Sequence, residues 1–159
     1  MENQTLAKLL QSDKDIAPYF RGIYVKSDLG NVPQLNYGVK NILVVNTVSN
    51  NEQVGHFLLI YLSPAANFFL DSFNENPRSN GDKIFNFLLT VTDKNYVKAP
   101  FRVQSVQSSV CGYYILYWAK ILATKEVGDL HELFRNFDHT KYHANDTLVV
   151  RFVKDIFGK

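Results

Sequence analysis

The run that follows Cys111-Gly112, YYILYWAKILA, constrains the fold more than any other stretch of the chain. It is apolar nearly all round and slightly long for a typical strand, so it reads as a buried central helix. A helix of that kind needs a sheet and other helices packed over it. The rest of the chain offers both.

Strand signals are strongest over residues 41–48 (NILVVNTV), rich in β-branched and aliphatic residues, and over 54–62 (VGHFLLIYL), with the polar turn SNNEQ (49–53) between them. A turn at 63–67 (SPAAN) then predicts a hairpin whose second arm is 67–73, NFFLDSF. Residues 20–25 (FRGIYV) read as extended, and 101–106 (FRVQSV) as a further short strand. Helices are expected over 4–10, with Leu6, Leu9 and Leu10 on one side, over 80–92 and over 130–136. A last helix is expected over 146–157, capped by Asn145 or Asp146, with Leu148, Val149, Phe152, Val153 and Ile156 on its inner face. These elements predict an α+β domain with a mixed, mostly antiparallel sheet packed against the helix that starts at Cys111. The 159 residues carry no linker or repeat and suit a single domain, 1–159.

Composition excludes more than it proposes. Seventeen basic and fifteen acidic residues leave a net charge of +2, too small to argue for nucleic acid or an anionic membrane. No apolar stretch approaches the ~18 residues that span a bilayer. The opening MENQTLAKLLQSDKD lacks the pattern of a secretory signal, so a soluble, intracellular protein is expected. With one cysteine, neither an internal disulfide nor a thiolate-rich metal site can form.

That cysteine is either an inert core residue or a nucleophile. A thiol is useful only as thiolate, and a helix N-terminus favours the negative charge. Cys111 stands where the buried helix should start, and Gly112 beside it would let a substrate backbone approach closely. A base is needed next. His131, His139 and His143 cluster in the C-terminal third, whereas His56 alone interrupts an apolar strand. Asp71, set among phenylalanine and leucine in FLDSF, is costly to bury without a partner. With the turn near Pro64-Ala65, Asp71 falls opposite Leu58, diagonal to His56 and within reach of its ring. The plainer role for Asp71 is a strand-end acid bonded to the NEN turn after it. An oxyanion donor could be either Gln104 or Gln107, both just upstream in VQSVQSSVCG. A metal site at His131, His139 and His143 would need a helical FDHTKYH, which reads as loop, and no cofactor is expected.

The order His56, Asp71, Gln104, Cys111 is where the chain resembles a known family. NILVVNT, GHFLLIYL, FFLDSF and QSVQSSVCGYYILYWA resemble the adenovirus protease family, most closely its compact relatives in Maverick/Polinton elements and virophages. FRGIYVKSDLGNVP and NDTLVVRFVKDIF look like the same compact members. The resemblance implies a papain-like cysteine protease fold in permuted order, with Cys111 as nucleophile, His56 as general base and Asp71 as its orienter. It selects Gln104 over Gln107 for the oxyanion hole, because the family's glutamine lies six or seven positions before the cysteine. Gly55, Phe57, Gly112 and the Cys111 N–H would complete the oxyanion hole and substrate groove.

By the same resemblance the substrates are capsid or core precursors cut near glycine or another small residue during virion maturation. The protein would be a monomer in the virion and infected cell. Two features depart from the family. Phe57 stands where the family often has tryptophan, and a lone cysteine rules out activation by a disulfide-linked peptide. The small net charge gives no support for activation by DNA. Two other readings are a peptidase that removes ubiquitin-like modifiers of the SUMO type, and a binding module that kept the fold but lost activity.

Overall fold

The computed structural model describes residues 1–48 and 55–158. The chain opens with helix α1 (Asn3–Ser12), strand β1 (Phe20–Val25) and a 3-10 turn (Lys26–Asn31). Strands β2 (Asn41–Asn46), β3 (Phe57–Leu62) and β4 (Asn67–Leu70) follow. A second 3-10 turn (Pro77–Asn80), α2 (Asp82–Thr92) and a two-residue β5 (Val97–Lys98) lead to α3 (Cys111–Thr124), α4 (His131–Phe134) and α5 (Tyr142–Phe157).

The five strands form one sheet in the order β1-β2-β3-β4-β5. The β2–β3 and β3–β4 ladders are antiparallel, and the outer two, β1–β2 and β4–β5, are parallel. The sheet is thus mixed, with the antiparallel ladders at its centre and the parallel ones outside. Its outer strands arrive by crossovers, long enough to return the chain in the parallel sense. Every residue of β2 and β3 is buried. Ile42, Val44, Leu59 and Tyr61 face the core shared with α1, α3 and α5, while Leu43, Val45, Leu58 and Ile60 face α2. The result is an α+β domain with helices on both faces of the sheet.

Helix α3 is the buried centre that its sequence demands. Tyr114, Ile115, Leu116, Trp118, Ala119 and Leu122 are all at or below 1% exposure. Burying each large aliphatic or aromatic side chain contributes about 1.5–3 kcal/mol. The Trp118 indole N–H keeps a partner, donating to the Leu133 carbonyl at 3.2 Å.

Several expected elements shift. Residues 101–106 do not enter the sheet; the Val103 and Gln104 N–H groups both donate to the Ser72 carbonyl at 3.0 Å, one anchor instead of a ladder. The fifth strand is the exposed pair Val97–Lys98. Helix α5 starts at Tyr142, so Asn145 and Asp146 lie inside it as buried residues and cap nothing. Their polar atoms reach across the fold instead. Asn145 Nδ2 donates to the Val103 and Asp138 carbonyls at 3.1 and 2.7 Å, and Asp146 accepts from the Tyr114 hydroxyl at 2.7 Å. His143 falls inside α5 and His139 before it, where it packs edge-on against Phe101. Among the described residues no three His, Cys, Asp or Glu side chains are grouped to hold a metal. No helix among them is long and apolar enough to cross a membrane. The expected turn at 49–53 and the start of the expected strand at 54 lie outside the described residues.

Candidate active site

β3 starts at Phe57, leaving Gly55 and His56 in the extended approach to it. Thr47, just beyond β2, holds this approach on both sides: its N–H donates to the His56 carbonyl at 3.0 Å, and its Oγ1 accepts the His56 N–H at 3.2 Å. Glycine is required at 55 because a Cβ there would lie 2.2 Å from Asn46 Oδ1 and 2.6 Å from Val48 Cγ1. The end of β2 therefore packs directly against the backbone that carries the histidine.

Asp71 follows β4. The β3–β4 register pairs Leu59 with Leu70, and one further step sets Asp71 against Leu58, as the hairpin reading expects. The two sets of contacts considered for Asp71 are both present. Its Oδ1 lies 2.5 Å from His56 Nε2, and the carboxylate also accepts the N–H groups of Phe73 at 2.9 Å and Glu75 at 3.2 Å. Backbone donors of the following turn thus aim the carboxylate at the ring. The Asp71 side chain is 2% exposed and that of His56 17%. Phe73 stacks on the imidazole, with centroids 4.5 Å apart and planes 27° from parallel.

The other imidazole nitrogen, Nδ1, is buried and has no hydrogen-bond partner among the described residues. Cys111 stands beside this ring as the first residue of α3, whose N-terminus no side chain caps. Burial pulls the His56 pKa down, but the bond to Asp71 and the negative charge of Asp71 and of the nearby Cys111 outweigh it and raise it to about 9. Burial pushes the Cys111 thiol up, but the nearby His56 outweighs it and holds the thiol below its ordinary range. The two shifts run in the directions that favour a negative sulfur beside a positive ring.

Gln104 is fully buried. Its Oε1 accepts from the Ser72 hydroxyl, and its Nε2 donates to the Ser108 carbonyl at 3.1 Å and hydroxyl at 3.2 Å. Gln107 is exposed on the same loop. Of the two glutamines, the structure builds Gln104 into the interior beside Asp71-Ser72. Gly112 does not stand open as the sequence suggested: a Cβ there would meet the Met1 side chain at 3.2 Å. Phe57 starts β3 beside His56, and its ring belongs to the core under the sheet.

Sequence reasoning missed three participants: Phe73 on the imidazole, and Ser72 and Ser108 on either side of the Gln104 amide. Ser72 and Phe73 follow the acid in FLDSF, but a serine and a phenylalanine carry no signal of a distant partner. A groove of about 670 Å³ at the far end of α3, lined by Tyr117, Ile121, Leu148 and Phe152 among others, holds none of the candidate residues. No protein-family model and no curated protein matches the sequence.

Proposed function

We propose that this chain is a cysteine peptidase. The observation that carries the reading is the disposition of the His56 ring. Asp71 occupies Nε2 while, among the described residues, buried Nδ1 has no hydrogen-bond partner, beside the lone thiol at an uncapped helix start. A core histidine would be expected to satisfy both nitrogens.

In the proposed reaction the Cys111 thiolate attacks a peptide carbonyl carbon, and the carbonyl electron pair moves onto oxygen. Gln104 Nε2 and the Cys111 N–H stabilise that oxyanion. His56, held as imidazolium by Asp71, gives its proton to the leaving amine as the C–N bond breaks. It then takes a proton from the water that hydrolyses the thioester. The fold is read as papain-like in permuted order. The resemblance to adenovirus-type proteases makes the substrates capsid or core precursors cut near small residues during maturation, and places the enzyme in the virion and infected cell as a monomer.

The test is the rate of iodoacetamide alkylation against pH, followed by intact mass, for wild type and His56→Ala. Rapid modification well below pH ~8.5 in wild type alone is expected. Equal, ordinary reactivity in both proteins would sink the peptidase reading. Cleavage of virion precursors, set beside cleavage of ubiquitin-like precursors, then decides the substrate class.

A further inference from the structure

The peptidase reading leaves a question that geometry answers. A glutamine amide is nearly symmetric in shape, so something must fix which end faces the reacting carbonyl. The Ser108 carbonyl, which can only accept, and the Ser108 hydroxyl fix Nε2 on their own side, at 3.1 and 3.2 Å. The whole side chain is buried, so Oε1 on the other side needs a donor of its own. The Ser72 hydroxyl, itself 1% exposed, supplies it.

We propose that Ser72 is the positioning residue of the oxyanion hole, its hydroxyl locking the Gln104 amide with the N–H edge toward Ser108 and the loop into Cys111, where an oxyanion would take the place of a Ser108 acceptor. This rests on the peptidase reading above. Ser72 directly follows Asp71, so one dipeptide at the end of β4 sets both halves of the machinery. Asp71 orients the histidine, and Ser72 orients the glutamine. The Ser72 carbonyl also accepts the Val103 and Gln104 backbone N–H groups at 3.0 Å, fixing where the glutamine side chain departs. Donation to Oε1 does more than hold the amide still. It withdraws electron density from the amide and makes its N–H a better donor, the cooperative effect expected of a hydrogen-bond chain in a low dielectric. Without the hydroxyl, Oε1 is a buried acceptor with nothing to accept, and rotating the amide about its last torsion relieves it at the expense of the hole.

The test separates two reactions of the same thiolate. Acylation by N-acetylglycine 4-nitrophenyl ester forms the S–C bond, passes through a tetrahedral oxyanion and then expels 4-nitrophenolate as the C–O bond breaks. Alkylation by iodoacetamide displaces iodide and forms no oxyanion. Ser72→Ala keeps both backbone bonds to the Ser72 carbonyl. It should slow the 4-nitrophenolate burst by about tenfold or more in stopped flow, while the alkylation pH profile stays that of wild type. Placed in a Gln104→Ala background, Ser72→Ala should slow the burst no further, because the hydroxyl acts only through that amide. Three results would overturn the proposal: an unchanged burst, a parallel loss of alkylation, or an undiminished effect in the Gln104→Ala background. A wild type showing neither low-pH alkylation nor a burst is a different failure. It removes the peptidase reading, and the proposal with it.

Discussion

His56 Nε2 stands 2.5 Å from Asp71 Oδ1, and the two Asp71 oxygens also collect the N–H groups of Phe73 and Glu75. The carboxylate is therefore fixed before it meets the ring, which suits the orienting role proposed for it. Asp71→Asn keeps much of the shape but removes the charge. His56 should lose protons well below its present pKa of about 9. With less positive charge beside it, the Cys111 thiol should climb back toward the usual ~8.5. The alkylation profile should move to higher pH, and direct titration of the imidazole by NMR should show the same displacement. An unmoved imidazole would mean that Asp71 serves only its turn.

The same shift makes a statement about stability. The folded pKa of His56, about 9, lies above its ordinary 6.5, so the protonated ring favours the native state. That contribution is whole below about pH 6.5 and is lost as the pH rises through about 9. Cys111 titrates with the opposite sign. Its lowered pKa adds stability present above the ordinary thiol value and lost as the pH falls through the folded one. Urea unfolding of wild type, His56→Ala and Cys111→Ala from pH 6 to 10 separates the two. The advantage of Cys111→Ala over His56→Ala, which isolates the ring and its bond to Asp71, should shrink toward pH 10. An advantage flat across that range would show that His56 does not titrate there.

How far the sequence could be read depended on whether a feature was local. The continuous apolar runs of β2 and β3 mark strands covered on both faces, and the all-round apolar face of α3 marks a helix covered on every side. The hairpin count placed Asp71 opposite Leu58, because register follows from turn length alone. Features set by distant partners were not legible. Asn145 and Asp146 read as caps, since their residue types favour caps, yet Val103, Asp138 and Tyr114 draw them into the interior. Val97–Lys98 pairs with β4 without a hydrophobic pattern of its own. Nothing in VQSVQSSVCG says that a serine after the acid will hold one of its glutamines.

Gly55 offers a steric test of the approach to β3. A methyl group there would lie 2.2 Å from Asn46 Oδ1 and 2.6 Å from Val48 Cγ1, so those side chains or the 55–56 backbone must shift. Gly55→Ala should cost about 1–3 kcal/mol, the usual range for overpacking a close contact. It should also carry the imidazole away from the thiol. Denaturant midpoints and low-pH alkylation should fall together. A variant as stable and as reactive as wild type would mean that the two strand ends separate freely.

Asn145 ties the candidate site to the C-terminal helix. Its side chain is 2% exposed and makes three hydrogen bonds, donating to the Val103 and Asp138 carbonyls and accepting the Asp138 N–H at 3.0 Å. Val103 immediately precedes Gln104, so α5 helps to hold the backbone from which the glutamine projects. The Tyr114 hydroxyl lies 3.2 Å from the same carbonyl and shares its one proton between it and Asp146, at 2.7 Å. Asn145→Ala leaves the Asp138 groups without these partners, and a stability loss of about 2–3 kcal/mol is expected. The alkylation profile should stay close to wild type, because Cys111, His56 and Asp71 lie on other elements. The acylation burst should fall as Gln104 loosens. Loss of stability with an unchanged burst would show that Ser72 and Tyr114 alone suffice to hold the oxyanion loop.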